Sequence, residues 1–222
     1  VLQTASHSPP LWERSILRDT AGQTLRPGGF ALTDRAVSLA DIPANSRILD
    51  AGCGLGATVQ HLRSRHRLYA YGIDSSIRQL SEAPPELPLS LADASSLPYS
   101  DASFDGIICE CVLSLMPDLY RTISEFKRIL KPSGKIIITD IYQRSPHAIS
   151  KIKGSCASSP LNLTELDNCL KDNGIRIATL EDHSKLLAEL AARLIFAGEP
   201  DINLTGNCCG KPGYMMLIAE FA

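Results

Sequence analysis

Gly52, Gly54 and Gly56 follow Asp50 in the stretch Arg47-Ile-Leu-Asp-Ala-Gly-Cys-Gly-Leu-Gly56, between a short apolar run and a helical segment. Glycines in a strand-to-helix turn let the backbone bend sharply and let a ligand come close. A tight turn with no ligand has the same glycines, so the neighbouring charges must decide. A dinucleotide fingerprint spaces its glycines G-x-G-x-x-G and rests a pyrophosphate on the helix N-terminus. Here the spacing is G-x-G-x-G, and the carboxylate of Asp50 repels a phosphate but suits the ammonium of a methionine moiety. Asp74 lies roughly twenty residues beyond the loop, where a strand-end carboxylate can accept from both hydroxyls of a ribose. The alternative for Asp74 is capping of the following helix, although Ser75 and Ser76 are also there to cap.

Other groups with chemistry lie further along. Glu110 ends the fourth apolar strand, where a carboxylate can face an acceptor or a cationic sulfur, or merely pack or cap. Tyr142 and His147 follow the fifth strand and His183 the sixth; a histidine is a general base near neutral pH, and equally an ordinary solvated loop residue. Arg26 stands in Leu25-Arg-Pro-Gly-Gly-Phe30, either as a ligand for a carboxylate, whose replacement weakens the cofactor and leaves the ligand-free protein's melting almost unaltered, or as a solvated turn residue. Cys156, Cys208 and Cys209 are soft ligands in irregular stretches, but their spacing matches no zinc pattern, and no metal is expected.

The elements that position these groups follow from periodicity. Strands are expected at Arg47–Ala51, Leu68–Ile73, Pro88–Leu91, Phe104–Cys109, Lys135–Ile141, Ile175–Leu180 and Tyr214–Glu220. Helices are expected at Leu11–Leu17, at Asp34–Ala40 with Thr33 as cap, and at Ala57–Arg65. Further helices are expected at Ser76–Glu82 capped by Ser75, at Leu119–Leu130, from Thr164 as cap to Asp172, and at Lys185–Phe196. Pro132-Ser133-Gly134 reads as a break before the fifth strand. This alternation specifies an α/β fold: a Rossmann-like, seven-stranded, mostly parallel sheet with helices on both faces. One domain is expected over 1–222, with an N-terminal cap at 1–30, a cofactor-binding core at 31–141, and the remaining sheet and lid segments at 142–222. The irregular stretches 1–30, 142–163 and 197–212 are the candidate lid.

Five motifs occur in order: Ile48-Leu-Asp-Ala-Gly-Cys-Gly-Leu-Gly, Gly72-Ile-Asp-Ser-Ser, Ala92-Asp-Ala-Ser-Ser-Leu-Pro-Tyr, Asp101-Ala-Ser-Phe-Asp and Arg128-Ile-Leu-Lys-Pro-Ser-Gly-Lys. Over about residues 30–141 the chain resembles the class I methyltransferase superfamily, in particular the small-molecule branch related to ubiquinone and sterol methyltransferases. The resemblance implies that the last strand is antiparallel and that S-adenosylmethionine is the cofactor, leaving as S-adenosylhomocysteine. It implies that Asp93 bonds the adenine amino group, that Ala94 supplies a backbone contact, and that Glu110-Cys-Val runs beside the adenosine and the transferring methyl. With the loop and the acids, the expected cofactor set is Arg26, Asp50, Gly52, Cys53, Gly54, Asp74, Ser75, Asp93, Ala94 and Glu110, and the candidate catalytic residues are Glu110, Tyr142 and His147. The family pattern has further glycine where Ser133 and Lys135 stand, a structural turn remote from the cofactor.

Composition bounds the remaining choices. With 44% hydrophobic and 21% charged residues and a net charge of −2, the chain is an ordinary globular one without the basic surplus of a nucleic-acid binder. Its apolar runs are too short to span a bilayer, no signal peptide is visible at Val1, and seven scattered cysteines suit reduced thiols, so a cytoplasmic protein is expected. The missing initiator Met points to absent first residues. The expected partner is a small-molecule acceptor, with self-association through the amphipathic stretch Lys185–Phe196 as a further option beside core packing or a membrane surface. The rival readings are a nicotinamide-dependent oxidoreductase, disfavoured by the glycine spacing and Asp93, and a non-catalytic cofactor-binding module. A thiol, arsenic-type or macromolecular acceptor stands beside the small organic one, although Glu110-Cys-Val-Leu is not the Asn-Pro-Pro-Tyr-like tetrapeptide of base and glutamine N-methylating relatives.

Overall fold

A computed structural model describes residues 9–144, 156–199 and 212–222. Seven strands form one sheet: β1 (Arg47–Ala51), β2 (Tyr69–Asp74), β3 (Leu89–Leu91), β4 (Phe104–Glu110), β5 (Leu130–Tyr142), β6 (Ile175–Asp182) and β7 (Gly213–Phe221). Their order is β3-β2-β1-β4-β5-β7-β6. The pairings from β3 to β5 are parallel, whereas β7 runs antiparallel to both β5 and β6.

The apolar strands are legible as a sheet covered on both faces, since successive side chains point to opposite sides. Leu49, Ile107, Ile136 and Ile138 join Phe126 and Leu166 in one buried cluster. Their chain neighbours Ile48, Ile108 and Ile137 join Val37, Val59 and Leu62 in the other. The helices are α1 (Ser15–Ala21), α2 (Gly29–Ala40), α3 (Ala57–Arg65), α4 (Ile77–Ser81), α5 (Leu119–Ile129), α6 (Leu163–Asp172) and α7 (Ser184–Phe196). Asp118 caps α5 by accepting from the Arg121 N–H at 2.9 Å, which starts the helix that buries Ile123, Phe126 and Ile129. On α7, Leu190 and Leu194 pack with Leu17 of α1, so this amphipathic helix covers the N-terminal segment. Among the described residues no helix is long and apolar enough to cross a membrane.

Several boundaries differ from the expected ones. Helix α2 begins at Gly29 behind a left-handed Gly28, and Thr33 lies inside it rather than at its cap. Ser76, not Ser75, caps α4, and Asn162, not Thr164, caps α6, in each case because that side-chain oxygen reaches the free N–H groups of the first turn. Strand β5 already pairs at Leu130, and Pro132-Ser133-Gly134 forms a register shift within it rather than a break before it.

The turn after β1 is held closely against its neighbours. Gly52 and Cys53 both donate to the Ile73 carbonyl, at 2.8 and 2.9 Å, which binds the loop to β2. Gly52 has φ +85°, and a Cβ there would lie 2.2 Å from Cγ2 of Val112. Gly52→Ala is therefore expected to cost about 1–3 kcal/mol through overpacking and backbone strain. Denaturant unfolding measures this; adding Val112→Ala should recover part of the loss, leaving only the strain of the positive φ.

Candidate functional site

The carboxyl ends of β1, β2 and β4 open into a cavity of about 400 Å³. It sits beside the point where the strand order turns back, β2 lying on one side of β1 and β4 on the other, which is where open α/β sheets bind ligands. Asp50, Gly52, Cys53 and Gly54 line its floor, with Asp74 and Ser75 on one side and Asp93 and Ala94 beyond them. Leu11, Trp12 and the stretch from Gln23 to Arg26 close it from the N-terminal segment, and Val112, Leu115, Met116 and Pro117 form an apolar wall.

Local hydrogen bonds fix these groups. The Asp74 carboxylate accepts from the Gly54 N–H through Oδ2 and from the Ser76 N–H through Oδ1, each at 2.8 Å, so it shapes the glycine loop and starts α4. Asp93 accepts from the Ser95 N–H at 2.8 Å; that bond leads the causes that hold its carboxyl below the usual range. Asp140, fully buried in β5, accepts from both the N–H and the hydroxyl of Ser114 and thereby holds the short 3-10 turn Leu113–Leu115 against the cavity. Burial is the main cause raising its pKa to about 6. Cys111, which follows β4, has φ +58°, a strained conformation for a non-glycine residue at the cavity edge.

Glu110 is the junction of the site. Its Oε2 lies 2.8 Å from Nη2 of Arg26, and both residues are nearly inaccessible, at 8% and 3% exposure. Thr33 of α2 donates to Oε1 at 3.3 Å and Thr58 of α3 to Oε2 at 3.2 Å. Arg26 also donates to the Thr33 hydroxyl. Burial works against the charge of Arg26, yet Glu110, followed by Tyr214, Cys111 and Asp50, outweighs it and lifts its pKa. Arg26 is thus no solvated turn residue, and its replacement bears on the empty protein.

Asp50 has the opposite balance. Burial first, then the neighbouring Glu110, pushes its carboxyl well above the ordinary value, with Arg26 only partly offsetting them. Its Oδ2 has no hydrogen-bond partner. The same holds for Thr24 Oγ1, Arg26 Nε and Gln79 Oε1, and among the described residues these four are the buried side-chain polar atoms left unsatisfied. All four residues line this one cavity. Orphaned buried polar atoms are costly, and their concentration in one cavity fits a polar ligand that completes them.

The expected cofactor set thus gathers at one place. Tyr142 does not line the cavity: its ring packs against Gly213, where a Cβ would meet it at 2.3 Å. His183 lies 2.9 Å from Glu181 instead, also away from the cavity. His147, Cys208 and Cys209 lie outside the described residues, as does the Cys156 side chain. Sequence reading missed Thr33, Thr58 and Gln79. Thr58, directly after the loop at the start of α3, was the most legible of them; Gln79 on a five-residue helix gave no signal.

Residues 49–138 match a family model described as a methyltransferase domain. A curated relative, 27-O-demethylrifamycin SV methyltransferase of Amycolatopsis mediterranei, is 28% identical over 75% of this chain and 67% of its own length. The chain spans about two thirds (64% and 67%) of the length of the first curated relatives it matches. The crystal structure of the [4+2]-cyclase SpnF superposes with a TM-score of 0.76 at 22% identity, covering 96% of both chains. Phosphoethanolamine N-methyltransferase 2 of Haemonchus contortus, in complex with S-adenosyl-L-methionine, gives 0.75 at 17% identity over 93% of this chain and 56% of that one. At these identities the two structures speak to the fold, a Rossmann-like sheet with an antiparallel last strand. The family match, which spans less than half of the chain, and the relatives make this chain similar to methyltransferases.

Removing one partner of a buried ion pair leaves an uncompensated charge. Arg26→Ala is therefore expected to destabilise the ligand-free protein by about 3–5 kcal/mol, read by denaturant unfolding. The double variant Arg26→Met/Glu110→Gln should regain much of that loss; an unchanged unfolding midpoint in Arg26→Ala would show that the pair adds no net stability.

Proposed function

We propose that this chain binds S-adenosylmethionine in the cavity and transfers its methyl group to a small organic acceptor, with S-adenosylhomocysteine as the second product. The observation that carries this reading is the clustering, in one acidic, glycine-floored cavity, of all four buried polar atoms left unsatisfied among the described residues. When bound, the cofactor supplies an activated methyl on a positively charged sulfur, so the protein's task is to orient, desolvate and exclude water. In this reading Asp50 accepts from the cofactor's ammonium, which satisfies its free oxygen and relieves the repulsion from Glu110. Arg26, with its unpartnered Nε, faces the carboxylate. Asp74 takes the ribose hydroxyls with Ser75 beside it, Asp93 the adenine amino group, and the Ala94 backbone contacts the base. Gly52, Cys53 and Gly54 let the main chain approach closely.

Glu110 acts here as a positioning residue. Arg26, Thr33 and Thr58 occupy its carboxylate, so it holds Arg26 in place rather than serving as a free base. Among the described residues neither Tyr142 nor His183 lines the cavity, and the apolar wall of Val112, Leu115 and Met116 contributes desolvation to the transfer. Four acidic side chains, Asp50, Asp74, Asp93 and Glu110, line the cavity beside the loop and favour a sulfonium nucleoside over a nicotinamide dinucleotide. The relative acting on 27-O-demethylrifamycin SV supports a small organic acceptor.

Calorimetry is expected to show micromolar binding of S-adenosylmethionine and S-adenosylhomocysteine and none of NAD. Asp74→Ala should weaken both by about 1.5–3 kcal/mol, the scale of hydrogen bonds involving a charged group. Labelled cofactor incubated with a metabolite extract should mark a low-molecular-weight fraction. Binding without transfer to any fraction would favour a non-catalytic module, and tight NAD binding would refute the proposal.

A further inference from the structure

Outside the cavity, three ligand-bearing side chains converge where α2 meets α3. Asp34 follows Thr33 on α2, His61 lies on α3, and His66 is the C-cap residue of α3. Nε2 of His61 and Nε2 of His66 both lie 2.6 Å from the same oxygen, Oδ1 of Asp34. The three ligand atoms fall within 4.8 Å of one another, and each residue is half-buried, so solvent and solute reach them. None of the three lines the cavity.

We propose that Asp34, His61 and His66 form a site for one divalent transition-metal ion of the zinc class. Two imidazoles and one carboxylate are the ligand set such ions prefer, whereas calcium and magnesium require oxygen ligands. Three protein ligands leave a fourth position for water. Metal–ligand bonds of about 2.0–2.1 Å place tetrahedral donors roughly 3.3 Å apart. Each imidazole nitrogen must open by less than an ångström from Asp34 Oδ1, and the two imidazole nitrogens must settle at that spacing from within 4.8 Å of each other. The ring of Phe30 lies flat on His61, with centroids 4.2 Å apart and planes at 11°, and this stacking restrains the imidazole's orientation. His66 sits at the C-terminus of a nine-residue helix, where the partial negative charge of the last carbonyls favours a cation. On binding, the ion takes the place of the protons shared between the imidazoles and the carboxylate, and joins α2 to α3 through three bonds in place of two hydrogen bonds.

The alternative occupant is a proton, with the trio acting only as a hydrogen-bonded clamp. Tag-free, chelator-treated protein distinguishes the two. Titration with Zn2+ should show saturable binding of one equivalent in this site and a raised melting temperature, and Mg2+ should do neither. Bound Co2+ should give ligand-field absorption without a thiolate charge-transfer band, which separates this site from the cysteines. Asp34→Asn and His61→Ala should each weaken Zn2+ by roughly tenfold or more, with circular dichroism and S-adenosylhomocysteine binding reporting that the variants fold. Absence of Co2+ ligand-field absorption, a thiolate band, or Zn2+ affinity unchanged in both variants would overturn the proposal. Should the variants fail to fold, the Co2+ spectrum of the unaltered protein decides alone.

Discussion

Arg26 and Glu110 are both removed from water, and neither charge is tolerable there without the other. That pairing draws the segment between α1 and α2 over the carboxyl ends of the strands. Once Arg26 is seated, Thr24 and Leu25 must line the cavity, and Leu11 and Trp12 follow through the packing of α1 on α7. The same carboxylate takes hydroxyl donors from α2 and α3, so the N-terminal segment, both helices and β4 meet at one group. The cavity wall is therefore set by electrostatics, not by the sheet alone.

The charge balance within that wall shapes what it can accept. Asp50, Asp74 and Asp93 face the cavity together with Glu110, and Arg26 is paired with the last of them. An anionic ligand meets uncompensated carboxylates at the position where dinucleotide folds offer helix N–H groups to phosphate. A cationic ligand meets the reverse: a carboxyl whose ionised form is disfavoured by burial and by a like-charged neighbour, and is favoured again by a positive group beside it. The rest of the fold serves this arrangement. Gly52 and Gly54, both at positive φ, carry the main chain along the cavity floor, and Asp74 fixes the loop through the Gly54 N–H while its carboxylate lies at the cavity edge.

Much of this was legible because the signals are local. Strand β1 and helix α3 fall on their expected residues, since an apolar run, a glycine turn and a helical period follow one another without interruption. Parallel pairing on both sides of β1 follows from the same alternation of strands and helices. What escaped is non-local or lacks a sequence signature. The start of α2 was hidden because Gly28 opens it, without a capping side chain. Arg26 read as a carboxylate ligand or a solvated turn, and not as half of a buried ion pair, because its partner Glu110 stands on β4, far along the chain. Thr33 read as a helix cap because threonine before an apolar helix is the usual cap signal, whereas here it lies within the helix and serves Glu110. Tyr142 was a candidate only by its place after the fifth strand; the antiparallel return of β7 turns its ring onto Gly213.

In the ligand-free protein burial and the neighbouring Glu110 disfavour the ionised form of Asp50, and a ligand's ammonium beside it favours that form. The most direct test compares S-adenosylhomocysteine with 5′-methylthioadenosine, which lacks the amino-acid half, by calorimetry across pH in buffers of different ionisation enthalpy. Because the Asp50 pKa is raised in the empty site, the expected affinity of S-adenosylhomocysteine climbs as pH rises through that value. Binding should release a proton below it, and Asp50→Asn should abolish both effects, while the truncated nucleoside binds more weakly and without this dependence. Equal pH profiles for the two ligands, or an Asp50→Asn variant that keeps the dependence, would contradict the assignment of Asp50 as the ammonium acceptor.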